Sequence, residues 1–227
     1  MTPWVRRLLV ANLFVFLLQK TIFLDPRFTA AFGFAPYYAF EHPWTFLTYL
    51  FLHASVLHLA FNLLALFVFG PPVEERMGGR TFIGYYLLCG LGGAALSYGL
   101  MQVVPAQHVV VVGASGAIYG VALAFAWYWP RERIFVFPLP EPIPVKWLVI
   151  FLVAFSLILA RLGASDGTAH LAHLGGFAAG FLFLKGQDLR LARAERRLRR
   201  AAAPSVVVHP AAHAVQVSGG RDPRGGK

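Results

Sequence analysis

Six stretches of the chain are almost wholly apolar, at residues 5–23, 54–69, 82–104, 109–129, 145–160 and 169–184, and polar or basic segments separate them. Unbroken apolar runs of this length predict helices set in lipid, where a helix satisfies its own backbone hydrogen bonds. A hydrocarbon core about 30 Å thick takes about 20 residues of helix. The pattern therefore predicts an all-α, polytopic membrane protein with six transmembrane helices, the shorter runs reaching full length through their flanks. Residues 24–52, between the first two runs, are rich in Phe, Tyr and Trp and predict a long loop lying in the membrane interface.

Composition agrees with the pattern. Of 227 residues, 58% are hydrophobic and 13% charged, and the mean hydropathy is +0.62. An ordinary soluble domain carries about 25% charged residues, so a water-soluble enzyme with one core is excluded. A disulfide scaffold is excluded too, because Cys89 has no second cysteine to pair with.

The net charge of +10 would suggest a nucleic-acid partner in a soluble protein. Its distribution argues otherwise. From Lys185 onward ten basic residues face three acidic ones, leaving only +3 for the preceding 184 residues. Residues 185–200 hold no aromatic ring to stack on a base, and no nucleic-acid partner is expected. Basic residues also mark alternate connections: Arg6 and Arg7, Arg76 and Arg80, Arg131 and Arg133, then the tail. By the positive-inside rule both termini are cytoplasmic, as an even number of spans requires. Residues 1–186 read as the membrane domain. Residues 187–227 read as a basic cytoplasmic tail, with a short helix at 187–200 on the inner leaflet lipids and disorder from 201. Residues 5–23 also fit the h-region of a signal peptide, but residues 17–25 offer no small-residue cleavage site.

Polar residues inside such spans are costly, so they are the candidates for chemistry. His58 and Asn62 lie four apart on the second span, and Ser115 and Tyr119 repeat that spacing on the fourth. His173 lies on the sixth, followed by Gly176 and Gly180. The three spans run in the same direction, which puts His58, Ser115 and His173 at one depth near the outer face. Gly116 and Gly120 on the fourth span and Gly176 and Gly180 on the sixth allow close backbone approach, as a Ser–His pair requires. Such glycine pairs are also generic membrane packing, and a lone serine often bonds back to its own helix. The first-turn N–H groups beside Ser115 lack intrahelical partners and face the positive end of the helix dipole, a place for an oxyanion.

In combination, His58-x-x-x-Asn62, Gly113-x-Ser115-Gly116 and Ala172-His173-x-x-Gly176-x-x-x-Gly180 resemble the rhomboid intramembrane serine proteases, in order and on the expected spans over residues 40–184. The resemblance implies a six-helix core of a cell inner-membrane enzyme, opening to the outer side. It would cleave single-pass membrane proteins with Ser115 as nucleophile and His173 as general base. It further implies an oxyanion hole of His58, Asn62 and the Ser115 N–H, Tyr119 packed on the His173 ring, and structural roles for His53 and Glu74. The fifth span and residues 161–168 would be the mobile side and cap admitting substrate. The first loop departs from the family's Trp-Arg, since Thr45 follows Trp44.

No cofactor or metal is expected: there is no HExxH sequence, and no Asp lies within a span for an aspartyl pair. His170 reads as a polar lining residue, and His42, His108, His209 and His213 as solvated. Asp166 lies too far from His173 to complete a triad, and Lys146 and Lys185 sit at the inner ends. Two other readings remain: a non-catalytic relative that binds membrane clients, and a membrane haem protein with His58 and His173 as axial ligands.

Overall fold

The computed structural model describes residues 1–101, 110–136, 139–162 and 167–202. Its helices are α1 (Pro3–Thr21), α2 (Pro26–Phe32), α3 (Thr45–Thr48), α4 (Val56–Met77), α5 (Gly79–Met101), α6 (Ser115–Tyr128), α7 (Val145–Leu162) and α8 (Gly167–Ala202). Short 3-10 turns occupy Pro36–Tyr38 and Tyr49–Phe51. Two-residue strands β1 (Arg133–Ile134) and β2 (Ile143–Pro144) pair antiparallel between α6 and α7, where the Arg133 guanidinium donates to the Pro142 carbonyl. Met1–Leu189 forms one compact unit and Arg190–Lys227 a second, and the core and candidate site lie in the first.

Each of the six apolar runs falls on a helix, α1 or α4 to α8. Three helices are long and apolar enough to cross a membrane, Val56–Met77, Gly79–Leu100 and Val145–Leu162, and Ser115–Tyr128 is apolar but shorter. The helices bury narrow stripes and expose large apolar side chains. In α1 the buried positions are Val5, Leu8, Asn12, Phe16 and Gln19, a helical stripe, while Val10, Leu13, Phe14 and Leu17 face outward. In water such a surface would aggregate; in lipid it is solvated.

Four boundaries differ from the sequence expectation. The apolar run of the second span ends at Phe69, but α4 continues through Pro71 and Pro72 to Met77. Each proline deprives a carbonyl one turn back of its N–H donor. The helix persists because Val73 and Glu74, beyond the prolines, are buried in the core. The Glu74 carboxylate accepts the N–H groups of Trp4 (3.0 Å) and Val5 (2.9 Å), closing the N-terminus of α1. Gly78, at φ +80°, is the one residue between α4 and α5.

Residues 24–52 are not a plain loop: α2, α3 and both 3-10 turns fill much of them. Fully buried Tyr49 anchors the segment by donating its hydroxyl to the Gly90 carbonyl at 2.8 Å. Exposed Tyr37, Tyr38, Phe40 and Trp44 surround it. Three side-chain donors brace the segment around position 45. Thr45 Oγ1 donates to His42 O, Trp44 Nε1 to Ala31 O and Thr48 Oγ1 to Phe32 O, at 2.6–2.8 Å.

The fourth span begins helical structure at Ser115, not at 109, because Val111 pairs with Phe34 in an isolated bridge and holds the chain extended before it. Finally, α8 is continuous where residues 169–184 and 187–200 were read as separate. Gly186 is the only glycine at that junction, and the Leu, Ala, Arg and Glu residues after it are good helix formers. The expectation of disorder, from residue 203 on, and those for His108, Asp166, His209 and His213 lie outside the described residues, as do residues 163–166 of the expected cap.

Candidate active site

The position of Ser115 is set from both sides of the extended stretch before it. Phe34 and Val111 exchange both backbone hydrogen bonds at 2.8 and 2.9 Å. Two residues on, the Gly113 N–H donates to the Tyr49 carbonyl at 2.9 Å. Gly113 has φ +119°, a conformation closed to most side chains. A β-carbon there would also lie 2.7 Å from His58 Nε2 and 3.8 Å from Ser115 Oγ, so these two side chains bound the same small space. The chain then turns into α6 with Ala114 as N-cap and Ser115 as its first residue. The N–H groups of Ser115, Gly116 and Ala117 precede the first carbonyl their helix can offer them.

His173 comes from the second turn of α8. Its Nε2 is 2.7 Å from Ser115 Oγ, within hydrogen-bond reach. The other ring nitrogen, Nδ1, is buried without a hydrogen-bond partner, so no carboxylate or carbonyl among the described residues orients the imidazole. Packing takes that role. The Tyr119 ring stacks on it at 4.2 Å between centroids and 20° between planes, and Phe177 closes on Tyr119 at 5.0 Å. His170 stands edge-on to His173 at 5.6 Å and to Phe155 of α7 at 6.3 Å.

Backbone proximity makes the 2.7 Å contact possible. A β-carbon on Gly176 would overlap the Gly116 carbonyl, and one on Gly180 would lie 2.6 Å from the Tyr85 hydroxyl and 3.3 Å from Cys89 Sγ. Cys89 in turn fills the space beside Gly120. The Tyr85 hydroxyl donates to the Gly120 carbonyl at 2.7 Å.

His58 lies at the Gly113 end of the site, and Asn62 follows one turn along α4. Ser55 caps α4 by accepting the His58 N–H at 3.1 Å, which fixes the first turn. Buried Asn62 donates one amide N–H to the His58 carbonyl at 2.8 Å, which leaves the chemistry of its second N–H free. His53 is fully buried, its ring edge-on to His58 at 5.1 Å, and its backbone N–H donates to Gln19 of α1 at 3.2 Å. Lys146 and Lys185 are exposed, and Lys146 lies over the Trp147 ring. Among the described residues no group of three or more His, Cys, Asp or Glu could hold a metal.

Sequence reasoning missed the third wall of the site. Gly92 and Gly93 of α5 approach Gly175 and Ala172 of α8 as closely as α6 does, a β-carbon on Gly93 lying 2.7 Å from the Ala172 carbonyl. Tyr49, which holds Gly113 through its carbonyl and α5 through its hydroxyl, was also missed. The signal existed in the glycine repeat of residues 90–93, but neither residue type is reactive and nothing in the spacing ties them to Ser115.

The model of the Rhomboid domain matches residues 41–185. The chain is 32% identical to RHOMBOID-like protein 2 of Arabidopsis thaliana, over 62% of this chain and 41% of that one. It is 32% identical to rhomboid protease AarA of Providencia stuartii (61% and 54%) and 31% identical to putative rhomboid protease YdcA of Bacillus subtilis (61% and 64%). It thus spans less than two thirds of the length of each of these relatives.

Proposed function

The chain belongs to the rhomboid family, and from that membership we propose that it is an intramembrane serine endopeptidase acting through a Ser115–His173 dyad. It is an integral, multi-pass membrane protein with an all-helical body. The observation that carries the activity is the 2.7 Å contact between His173 Nε2 and Ser115 Oγ at the start of α6. A nucleophile and a base at that distance are what acyl transfer needs.

In the proposed reaction Ser115 Oγ attacks the scissile carbonyl while His173 Nε2 takes its proton. The tetrahedral oxyanion is met by the Ser115 N–H, the His58 ring and the second Asn62 N–H. Collapse expels the amine, which leaves with the proton from His173. Water, deprotonated by the same imidazole, then hydrolyses the acyl-serine. Tyr119 holds the ring in plane throughout, in place of a third triad member. Gly113, Gly116, Gly176 and Gly180 let the parts meet.

The rest of the proposal concerns the setting. Helices α1 and α4 to α8 are six spans of a domain at residues 1–186, in a cell membrane, with residues 187–227 and both termini on the cytoplasmic side. The site opens outward, and the substrates are single-pass membrane proteins, presented amid membrane lipids. Their helix must be locally weak, because an intact helix keeps its carbonyls in i→i−4 bonds.

The test is cleavage of a single-pass reporter by the full chain in liposomes. Ser115→Ala and His173→Ala are expected to abolish it. Turnover by either variant at the parental rate would remove the dyad, and inactivity of the parent with clients still retained would favour the non-catalytic reading.

A further inference from the structure

Two imidazoles lie at Ser115, and an aromatic ring packs on each. Tyr119 stacks on His173. His53 stands edge-on to His58, with 5.1 Å between centroids and 66° between planes. On another side His58 meets bare backbone, since a β-carbon on Gly113 would lie 2.7 Å from both its Nε2 and its Cε1. His53 and Gly113 thus bound the ring between them.

His53 takes part in no step of the proposed reaction. It lies in residues 52–55, between the second 3-10 turn and α4, and is fully buried. Neither of its ring nitrogens has a hydrogen-bond partner among the described residues. A neutral imidazole carries one N–H and one lone pair, and burying both unbonded is costly. Phenylalanine would fill the same place without that cost. Such breaches of local packing rules gather at functional sites, and the ring against His53 is His58. The backbone that carries His53 is held from α1. Its N–H donates to Gln19 Oε1 at 3.2 Å, and Gln19 Nε2 donates to Thr29 Oγ1 of α2 at 3.1 Å. Lys20 Nζ donates to the Ala54 carbonyl at 3.4 Å. Two successive residues near the end of α1 therefore fix the turn before α4.

Resting on the serine-protease reading above, we propose that His53 is a positioning residue for His58, holding its ring so that Nε2 stays directed at the oxyanion beside Ser115. In a buried place the dipoles of two imidazoles favour one mutual orientation. A hydrocarbon ring at position 53 would fill the volume and leave His58 free to turn. Through Gln19 and Lys20, α1 is the base on which this arrangement stands.

The experiment sets reactivity against stability. The full chain in detergent micelles is treated with a small alkyl fluorophosphonate. The rate of Ser115 labelling and the unfolding midpoint are measured for the parent, His53→Phe, Gln19→Met, His58→Ala and the His53→Phe/His58→Ala double variant. His53→Phe is expected to label about tenfold more slowly, short of the about 10²–10³ lost with an oxyanion donor, while its unfolding midpoint holds or rises. Gln19→Met removes the acceptor of the His53 N–H and alters neither ring. It is expected to label about two- to tenfold more slowly, the rate equivalent of one net hydrogen bond. The double variant is expected to be no slower than His58→Ala alone. A purely structural histidine would lose labelling only together with stability. Parental labelling by His53→Phe would reduce His53 to packing and overturn the proposal, as would additive losses in the double variant. If His53→Phe does not fold, parental labelling by Gln19→Met overturns it instead. Absence of Ser115 labelling in the parent is a different result: it removes the protease reading itself.

Discussion

The carbonyl oxygen of Gly116 occupies the place that a β-carbon on residue 176 would take. Helices α6 and α8 therefore touch backbone to backbone, one residue from Ser115 and three from His173. Gly176→Ala must push the helices apart, and in a packed interior such insertions cost about 1–3 kcal/mol. We expect a lower unfolding midpoint in detergent and loss of fluorophosphonate labelling. Gly84 of α5, with nothing within 4 Å of its virtual β-carbon, is the control. Gly84→Ala should be neutral or slightly stabilising, since alanine is the better helix former by up to about 1 kcal/mol.

Gly113 is constrained twice, by φ +119° and by His58 at 2.7 Å from its virtual β-carbon. Backbone strain of this kind costs about 1–3 kcal/mol. Gly113→Ala is expected to displace the His58 ring and lower kcat on a reporter substrate, with helix content by circular dichroism unchanged. An alanine variant with parental kcat would mean that the turn before Ser115 tolerates a different path.

Asn62 is expected to act late, on the oxyanion. Removing one such donor typically costs about 10²–10³ in rate. Asn62→Ala should thus retain measurable turnover where Ser115→Ala has none. Its labelling by fluorophosphonate should fall in step with kcat, because the phosphonyl oxygen occupies the same hole. Full activity in Asn62→Ala would leave the hole to His58 and the backbone.

Glu74 ties α1 to the far end of α4 by two hydrogen bonds to the N–H groups of Trp4 and Val5, and it is 3% exposed. Hydrogen bonds to a carboxylate contribute a net of about 1.5–3 kcal/mol each. Glu74→Ala should free the start of α1, so that limited trypsin cuts at Arg6 and Arg7 faster than in the parent. Glu74→Gln, which keeps one acceptor, should fall between. Unchanged cutting in both would assign the anchoring of α1 to its apolar stripe alone.

The helical, membrane-bound character was legible because it follows from local composition: apolar runs of helical length leave the chain few alternatives. The candidate residues stood out for a related reason, since Ser115, His58 and His173 are rare polar residues within such runs. What could not be read was where helices start and stop. Pro71 and Pro72 suggest a break that the burial of Val73 and Glu74 overrides, and residues 110–114 lie in an apolar run, yet Val111 pairs with Phe34 and Gly113 bonds to Tyr49 instead of coiling.

By itself, then, the sequence determined where the six long apolar helices lie, where the charge lies, and which few side chains have the chemistry for a nucleophile and a base. Only the tertiary structure decided that they meet. The 2.7 Å between Ser115 and His173 depends on Gly116 against Gly176, Gly93 against Ala172, and Tyr49 holding Gly113. Those contacts join residues far apart in the chain, and no local pattern encodes them, because a glycine looks the same in a sequence whether its missing β-carbon faces lipid or another backbone.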